Sequence, residues 1–530
     1  GLCFSSDPAD CLDNSSTGNV FIKQLVTSDS HNCILISDST IHCWGTNDSY
    51  QLGTNPNDFA AGGECGDAPN TKAPSTPINF ENSVAIFDNG YPGYEGVCDD
   101  VTGDASQKGF PSVYAGVLPP IAGTFPSSIS VSGVFSGSRS ELGEYDGKSL
   151  LASTVVAYDS IGDGNVKIKG FGDNTFTASN SFNNKFILRK KHYVRVLDHY
   201  DVNSNPVYRN DPIDVDTKIT QISSSVGFLC VIATDDQVYC YGSNSQGQLG
   251  NGTYVDFTTP RIAHHGWPEH RSLSGSAQDF STLFSAGSTK VVTGGNDISG
   301  IGAPAACSLA NDNKVYCWGS NKYRLLQNNQ VEKYSRADDM AGISNALDIS
   351  YNGFSACALV SSGALINGEA IAGQTVTAQC WGNNIAQSYV QESHRSYNGV
   401  DTKIAISLPE GTSFKKLKLF SPNSNHIVTA GTQSSSYACA IGEPGIVPQG
   451  ELVADHTFVW CWGSVFDETV NDSTYGYKYQ EPKKVLKLTG ATSLSAAKNQ
   501  VCAIIRDGKS VACVGRSQLF QAEPVEGEAQ

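Results

Sequence analysis

Sixteen cysteines in a chain of 530 residues are the side chains whose type and spacing bear most directly on chemistry. A cysteine can be a nucleophile, a zinc ligand or half of a cystine. Zinc sites space their cysteines two to four residues apart, and no such spacing occurs here. The count is even, and the residues fall into neighbouring pairs: Cys3–Cys11, Cys33–Cys43, Cys65–Cys98, Cys230–Cys240, Cys307–Cys317, Cys357–Cys380, Cys439–Cys461 and Cys502–Cys513. Even count and paired spacing point to disulfides and to an oxidising compartment. On that reading no thiol is left to act as a nucleophile.

Other reactive constellations are weaker. His264, His265 and His270 form a histidine cluster, but their spacing is not diagnostic of a metal and reads as a polar loop. The run from Asp159 through Asp163 to Asn165 has part of the calcium-loop pattern. It lacks the carboxylate at the third position and the Glu at the twelfth, so an Asp-Gly turn is the better reading. There is no Gly-x-Ser-x-Gly elbow and no phosphate loop ending in Lys-Ser/Thr. The expectation is therefore a protein without enzymatic activity, cofactor or metal. Sequons place candidate N-glycans at Asn14, Asn47, Asn251 and Asn471.

The elements that position the cysteines can be read from the same spacing. In Cys502 to Cys513 the dipeptide Asp507-Gly508 is a preferred hairpin turn. Counting outward from it sets the two cysteines opposite each other on antiparallel strands, within disulfide reach. The same count centres Cys33–Cys43 on Asp38, Cys230–Cys240 on Asp235 and Cys307–Cys317 on Asp312. After the second cysteine comes an aromatic and a glycine, as in Cys43-Trp44-Gly45, Cys240-Tyr241-Gly242, Cys317-Trp318-Gly319, Cys380-Trp381-Gly382 and Cys461-Trp462-Gly463. Cys513-Val514-Gly515 is a degenerate form, and Gly170-Phe171-Gly172 is a cysteine-free one. The aromatic is expected to pack between units, with the glycine permitting close approach or a bulge.

Seven such marks make seven units of strand, turn, strand, tight turn, strand and loop. Antiparallel meanders repeated at tens of residues read as blades. The run from Val238 to Thr253, with Cys240-Tyr241-Gly242 and Gly247-Gln248-Leu249-Gly250, resembles the repeat of the regulator-of-chromosome-condensation family. The cysteine-paired form is similar to Crinkly-type extracellular propellers of plant receptor kinases. The resemblance implies an all-β, seven-bladed propeller with intra-blade disulfides. The expected layout is a disulfide-stapled extension over 1–17, a propeller over 18–520 and a tail over 521–530. An insertion covers about 54–131, the second blade about 132–180, and long hairpin loops occupy 361–379 and 442–460. The strand near Val20–Val26 is expected to complete the last blade.

Charge narrows the function classes. Net charge is −17, and charged residues make up only 16% of the chain. A nucleic-acid binder would normally carry a basic face, so no nucleic-acid partner is expected. No run of eighteen apolar residues occurs, so direct membrane insertion is not expected either. The first residue is Gly1 and the only methionine is Met340, which reads as a mature, secreted chain after loss of a signal peptide. The function expected first is a non-enzymatic extracellular structural or assembly module, such as a glycosylated subunit of a surface fibre, appendage or matrix. Its partners would be proteins, or further copies of itself, engaged through the inserted loops. The alternative is a protein- or glycan-recognition module, as in a receptor-like ectodomain or an inhibitor, and an enzyme ranks third.

Overall fold

The computed structural model describes residues 21–45, 85–88, 114–117, 124–139, 145–160, 166–172, 186–188, 191–200, 206–214, 219–263, 287–295, 302–326, 333–339, 343–382, 404–416, 421–444, 457–466 and 477–515, apart from a few single turn positions. Among these residues there is no α-helix. Seven sheets of four or five strands are present, together with one two-stranded ribbon, Lys191–Tyr200 with Pro206–Asp214.

The sheets are taken in chain order, each from its first strand. Sheet one is Ile22–Thr27, His31–Ile36, Ile41–Gly45 and Tyr114–Val117. Sheet two is Thr124–Arg139, Tyr145–Ser160, Val166–Gly172 and Phe186–Leu188. Sheet three is Ile219–Ser225, Phe228–Ala233, Val238–Gly242 and Phe257–Ile262. Sheet four is Ser288–Gly294, Ala305–Ala310, Val315–Ser320 and Lys333–Asp339. Sheet five is Ala346–Tyr351, Ser355–Ser361, Val376–Gly382 and Ile404–Ile406. Sheet six is Ile427–Thr432, Ser435–Pro444, Phe458–Phe466 and Tyr477–Val485, with Thr412–Phe414 paired to the far end of its second strand. Sheet seven is Ala491–Ala497, Gln500–Ile505, Ser510–Gly515 and Ala85–Asp88. The first strand of each sheet touches the first strand of the next, and Ala491–Ala497 returns to Ile22–Thr27. The fold is an all-β propeller.

The second strand of a sheet is covered on both faces by neighbouring sheets. Its sequence is therefore a continuous small or apolar run rather than an alternating one, as in Phe228–Ala233 and Ala305–Ala310, which are buried throughout. The third strand explains the Cys-aromatic dipeptide. Adjacent residues of a strand point to opposite faces. Cys307 and Cys317 pack among residues of sheet five, while Trp318 packs among residues of sheet three. Cys357 and Cys380 face sheet six, and Trp381 faces sheet four. One dipeptide thus fastens a blade to both neighbours. The glycine that follows is needed for a different reason: Gly242 and Gly319 sit at register shifts against the fourth strand with φ of 116° and 104°. A Cβ at Gly242 would lie 2.4 Å from the Gly227 carbonyl oxygen, so a bulge and a close approach coincide.

Two expectations change. The strand Thr124–Arg139 begins inside the stretch read as an insertion up to 131, so the second blade starts earlier than the cysteine-free sequence indicated. Ring closure also differs. Ile22–Thr27 is the first strand of sheet one and does not complete the last blade; the outer strand there is Ala85–Asp88, paired in parallel with Ser510–Gly515. The first and last sheets still pack together, through Ile22, Leu25, Ile34 and Ile36 against Cys502, Ile504, Val511 and Cys513.

Candidate functional site

Cys33–Cys43, Cys230–Cys240, Cys307–Cys317, Cys357–Cys380, Cys439–Cys461 and Cys502–Cys513 are bonded. Each pair occupies directly opposed positions on the second and third strands of its sheet. Cys3, Cys11, Cys65 and Cys98 lie outside the described residues. So do Asn14, Asn47, Asn471 and the histidines His264, His265 and His270. Of the run from Asp159 to Asn165, Asp163 and Asn165 lie outside the described residues, and Asp159 pairs with Val166. No group of three metal-ligating side chains occurs among the described residues.

Asn251 lies on the loop that follows the third strand of sheet three. Its Oδ1 accepts from the Thr253 hydroxyl at 2.9 Å and from the Thr253 backbone N–H at 3.1 Å. The loop is held by Asn244, whose Oδ1 accepts from Leu249 N–H at 2.9 Å while its Nδ2 donates to the carbonyls of Thr253 and Val255. Trp318 of the next sheet donates its indole N–H to the Gln248 carbonyl at 2.9 Å. Trp381 repeats the contact on Leu325 at the same distance. These loops are blade couplings, and their polar residues are already committed.

The richest polar chemistry lies around the axis, and the sequence analysis did not single it out. The first strands of six sheets carry a register shift at the same place, ahead of Gln24, Ser128, Gln221, Lys290, Asp348 and Ser493. All six side chains are buried. Five of the bulges turn a polar side chain toward the next first strand, while Ser493 accepts from Asn425 N–H. Gln24 accepts from Ile129 N–H at 2.9 Å and donates to the Ile129 carbonyl at 2.7 Å. Ser128 Oγ accepts from Ile222 N–H, and Gln221 from Val291 N–H. Lys290 Nζ donates to Asp348 Oδ1 at 2.5 Å. The Asp348 carboxylate also accepts from the backbone N–H groups of Ile349, His426 and Ile427 at 2.7, 2.6 and 3.1 Å. Burial pulls the Lys290 ammonium below its ordinary range, and the Asp348 charge opposes that. A visible signal did exist: a polar residue at the third position of the strand, directly ahead of an apolar one, in IKQLVT, ITQISSS, STKVVTG and ALDISY.

One short segment crosses this axis. Asn423 Oδ1 accepts from the Ser128 hydroxyl of sheet two at 2.9 Å, and its Nδ2 donates to the Thr220 carbonyl of sheet three at 2.9 Å. The Ser424 carbonyl accepts from Lys290 of sheet four. Asn425 bonds Leu494 of sheet seven through both side chain and backbone. Residues that touch sheets two, three, four and seven within three positions must lie across the mouth of the channel, which they plug.

Asp29 sits on the turn after the first strand of sheet one and accepts from Lys498 N–H of sheet seven at 2.7 Å. Burial raises its carboxyl to about 6, against the lowering effects of that hydrogen bond and of the Lys498 charge. In sheet six, burial pulls the Lys415 ammonium down and pushes the Glu443 carboxyl up, each opposed by the other's charge. Lys415 is buried rather than part of a basic face.

Residues 219–248 match the model of the regulator of chromosome condensation (RCC1) repeat. No curated protein matches the chain by sequence. Human WBSCR16 is similar in structure, with 13% identity, a TM-score of 0.47, and coverage of 92% of this chain and 87% of that one. Prp20p from Saccharomyces cerevisiae, described with its binding to Gsp1p and histones, gives 12% identity, a TM-score of 0.45, and coverage of 91% and 81%. The Crinkly ectodomain of the Arabidopsis thaliana receptor kinase ACR4 gives 15%, 0.26, and coverage of 74% and 96%. The chain is thus an all-β propeller, cystine-locked in six sheets, that carries a repeat of the regulator-of-chromosome-condensation type.

Proposed function

We propose that the protein is a non-enzymatic extracellular assembly module, a glycosylated building block of a surface fibre, appendage or matrix. The observation that carries this reading is the combination of six buried cystines with an axis that is fastened and plugged by its own side chains. A propeller that binds a small molecule commonly does so in a concave, partly apolar cavity. Here the axial polar groups are spent on neighbouring sheets, and the architecture favours rigidity. Contacts to partners would then fall to the insertions, as loops on a rigid scaffold commonly carry function. Cystines favour an oxidising compartment, and N-glycans at Asn14, Asn47, Asn251 and Asn471 belong to the same reading. Expression through a secretory pathway should give a particle whose mass falls on enzymatic deglycosylation. Light scattering and electron microscopy should show self-association that grows with concentration. A persistent monomer without glycan would remove this reading.

A second reading is a recognition module for protein or glycan. It is favoured by the insertion between the second and third strands of sheet five. There Ile366-Asn367-Gly368-Glu369 forms a two-residue hairpin tip, with Ile366 and Ile371 exposed at 56% and 42%. Both glycine and asparagine of that tip are left-handed, as a type I′ turn requires. Monomers that capture a soluble partner through this tip, and lose it when Ile366 and Ile371 become Ser, would favour recognition over assembly.

A further inference from the structure

The last sheet is completed differently from the others. Sheets one to six each take their fourth strand from the segment that follows their own third strand, and each pairs antiparallel. Sheet seven takes Ala85–Asp88, from near the other end of the chain, and pairs it in parallel. Ser510 faces Ala85, Val511 faces Ile86, Ala512 faces Phe87 and Cys513 faces Asp88. The sequence of the donor suits the task. Val84, Ile86 and Phe87 are β-branched or aromatic, and turn formers follow in Asp88-Asn89-Gly90.

Three physical points follow. An outer edge of unpaired N–H and C=O groups is a template for any compatible strand. A parallel ladder of four residues is short, and parallel pairing is the weaker kind per residue. The donor is also distant in sequence from the described strands that flank it, Ile41–Gly45 and Tyr114–Val117. From Asp88 to Tyr114 the chain has length enough to reach about 85 Å when extended, at roughly 3.3 Å per residue. A donor on such a tether can pair with an edge beyond its own propeller.

We propose that the Ser510–Gly515 edge is a strand-exchange site, filled by Ala85–Asp88 of the same chain in the monomer and by Ala85–Asp88 of a second copy in the assembly. This names the interface for the assembly reading above and rests on it. It is strand addition at a sheet edge, in which backbone hydrogen bonds supply affinity and alternate side chains supply specificity. Because each copy carries both a donor and an edge, exchange is head-to-tail and generates rings or filaments rather than being limited to a closed pair.

The test uses the full chain with its cystines formed. In a parallel ladder alternate residues bond to the partner strand, so the double variant Ile86→Pro/Phe87→Pro places a proline at a bonding position whichever face pairs. Wild type should show concentration-dependent oligomers by light scattering, and the variant should lose them. Benzoylphenylalanine placed at Phe87 in an equal mixture of nitrogen-14 and nitrogen-15 protein should crosslink to the 510–515 strand in mixed-isotope pairs. A synthetic peptide spanning 82–91 should dissolve wild-type oligomers, which keeps the proposal testable if the double variant folds poorly. Crosslinks confined to single-isotope pairs, with oligomers that survive the peptide, overturn strand exchange and leave the assembly reading standing. A wild type that stays monomeric at every concentration overturns both.

Discussion

The joint between sheets four and five and the joint between sheets seven and one do the same mechanical work with opposite chemistry. The first joins sequence neighbours through a fully buried ion pair, Lys290 with Asp348, whose carboxylate accepts three further backbone hydrogen bonds. The second joins the first and last sheets through an apolar cluster flanked by small polar groups. Thr27 meets Ser495 at 2.9 Å, Gln500 donates to the Ser28 carbonyl and to Asn32, and Asp29 caps Lys498 N–H. A buried pair is specific, but removing one partner is costly because the other charge is stranded. Neutral contacts are individually weak, and a carboxyl among them makes the joint responsive to pH. The ring is therefore least tolerant of a lost partner at the charged joint and most responsive to pH where it closes.

The largest effect should come from the charged joint. Asp348→Ala strands Lys290 and leaves the N–H groups of His426 and Ile427 without their acceptor. A loss of about 3–5 kcal/mol is expected for breaking such a buried pair, read as a fall in the urea midpoint. Lys290→Met together with Asp348→Leu should recover part of the loss by removing the stranded charge. A single variant within about 1 kcal/mol of wild type would place solvent at that joint and break the contrast.

Next in size are the cystines. Removing Cys307–Cys317, a separation of 10, should cost about 3 kcal/mol on the chain-entropy account. Removing Cys357–Cys380, a separation of 23, should cost about 0.7 kcal/mol more because the closed loop is longer. Paired Cys→Ala variants compared by urea denaturation measure the difference. Equal or reversed losses would show that local packing between sheets outweighs loop closure.

The closing joint should respond to pH. The folded Asp29 carboxyl is raised to about 6 from 3.8. A raised acid holds its proton more tightly when folded, so its stabilising contribution is complete below the unfolded value and is lost as pH rises through 6. Asp29→Asn keeps an acceptor for Lys498 N–H and removes the charge. Its melting temperature should exceed wild type at pH 7.5, and the gap should shrink toward pH 4. A lower melting temperature at pH 7.5 would mean that the Lys498 charge outweighs burial.

Legibility in the sequence followed the same divide between local and distant contacts. A cystine hairpin lies within one short window, so Cys230–Cys240 and its centre near Asp235 were readable from spacing alone. The aromatic-glycine mark was local too, and both the packing of Trp318 and the positive φ of Gly319 agree with it. Sheet two has no cystine to mark its limits, and its boundary was misplaced accordingly. The axial side chains escaped notice because their partners lie one blade away. Gln24 meets Ile129 and Asn423 meets Thr220 across sequence separations of 105 and 203, and no spacing within a window encodes such a contact. The same holds for Ala85–Asp88, whose partner strand lies at the other end of the chain.

The smallest effect lies in the turns that these cystines close, and it separates local backbone strain from ring packing. Ser39, Asp236 and Asn313 occupy the same turn position and have φ of 73°, 59° and 61°. Each donates its backbone N–H three residues back, to the carbonyls of Ile36, Ala233 and Ala310. This is the three-residue hairpin whose last loop residue is left-handed. The conformation costs an ordinary L-residue about 1 kcal/mol, less for Asn or Asp and least for Gly. Asp236 also bonds Asn311 of the neighbouring blade through its side chain, so replacing it removes a contact. Ser39→Gly should therefore stabilise by about 0.5–1 kcal/mol, Asn313→Gly should change little, and Asp236→Gly should be neutral or slightly unfavourable. Thermal melts of the three variants at one pH test the order. If Ser39→Gly destabilises, the hydroxyl rather than the backbone is what holds the first hairpin, and the closing joint draws on a contact in that turn.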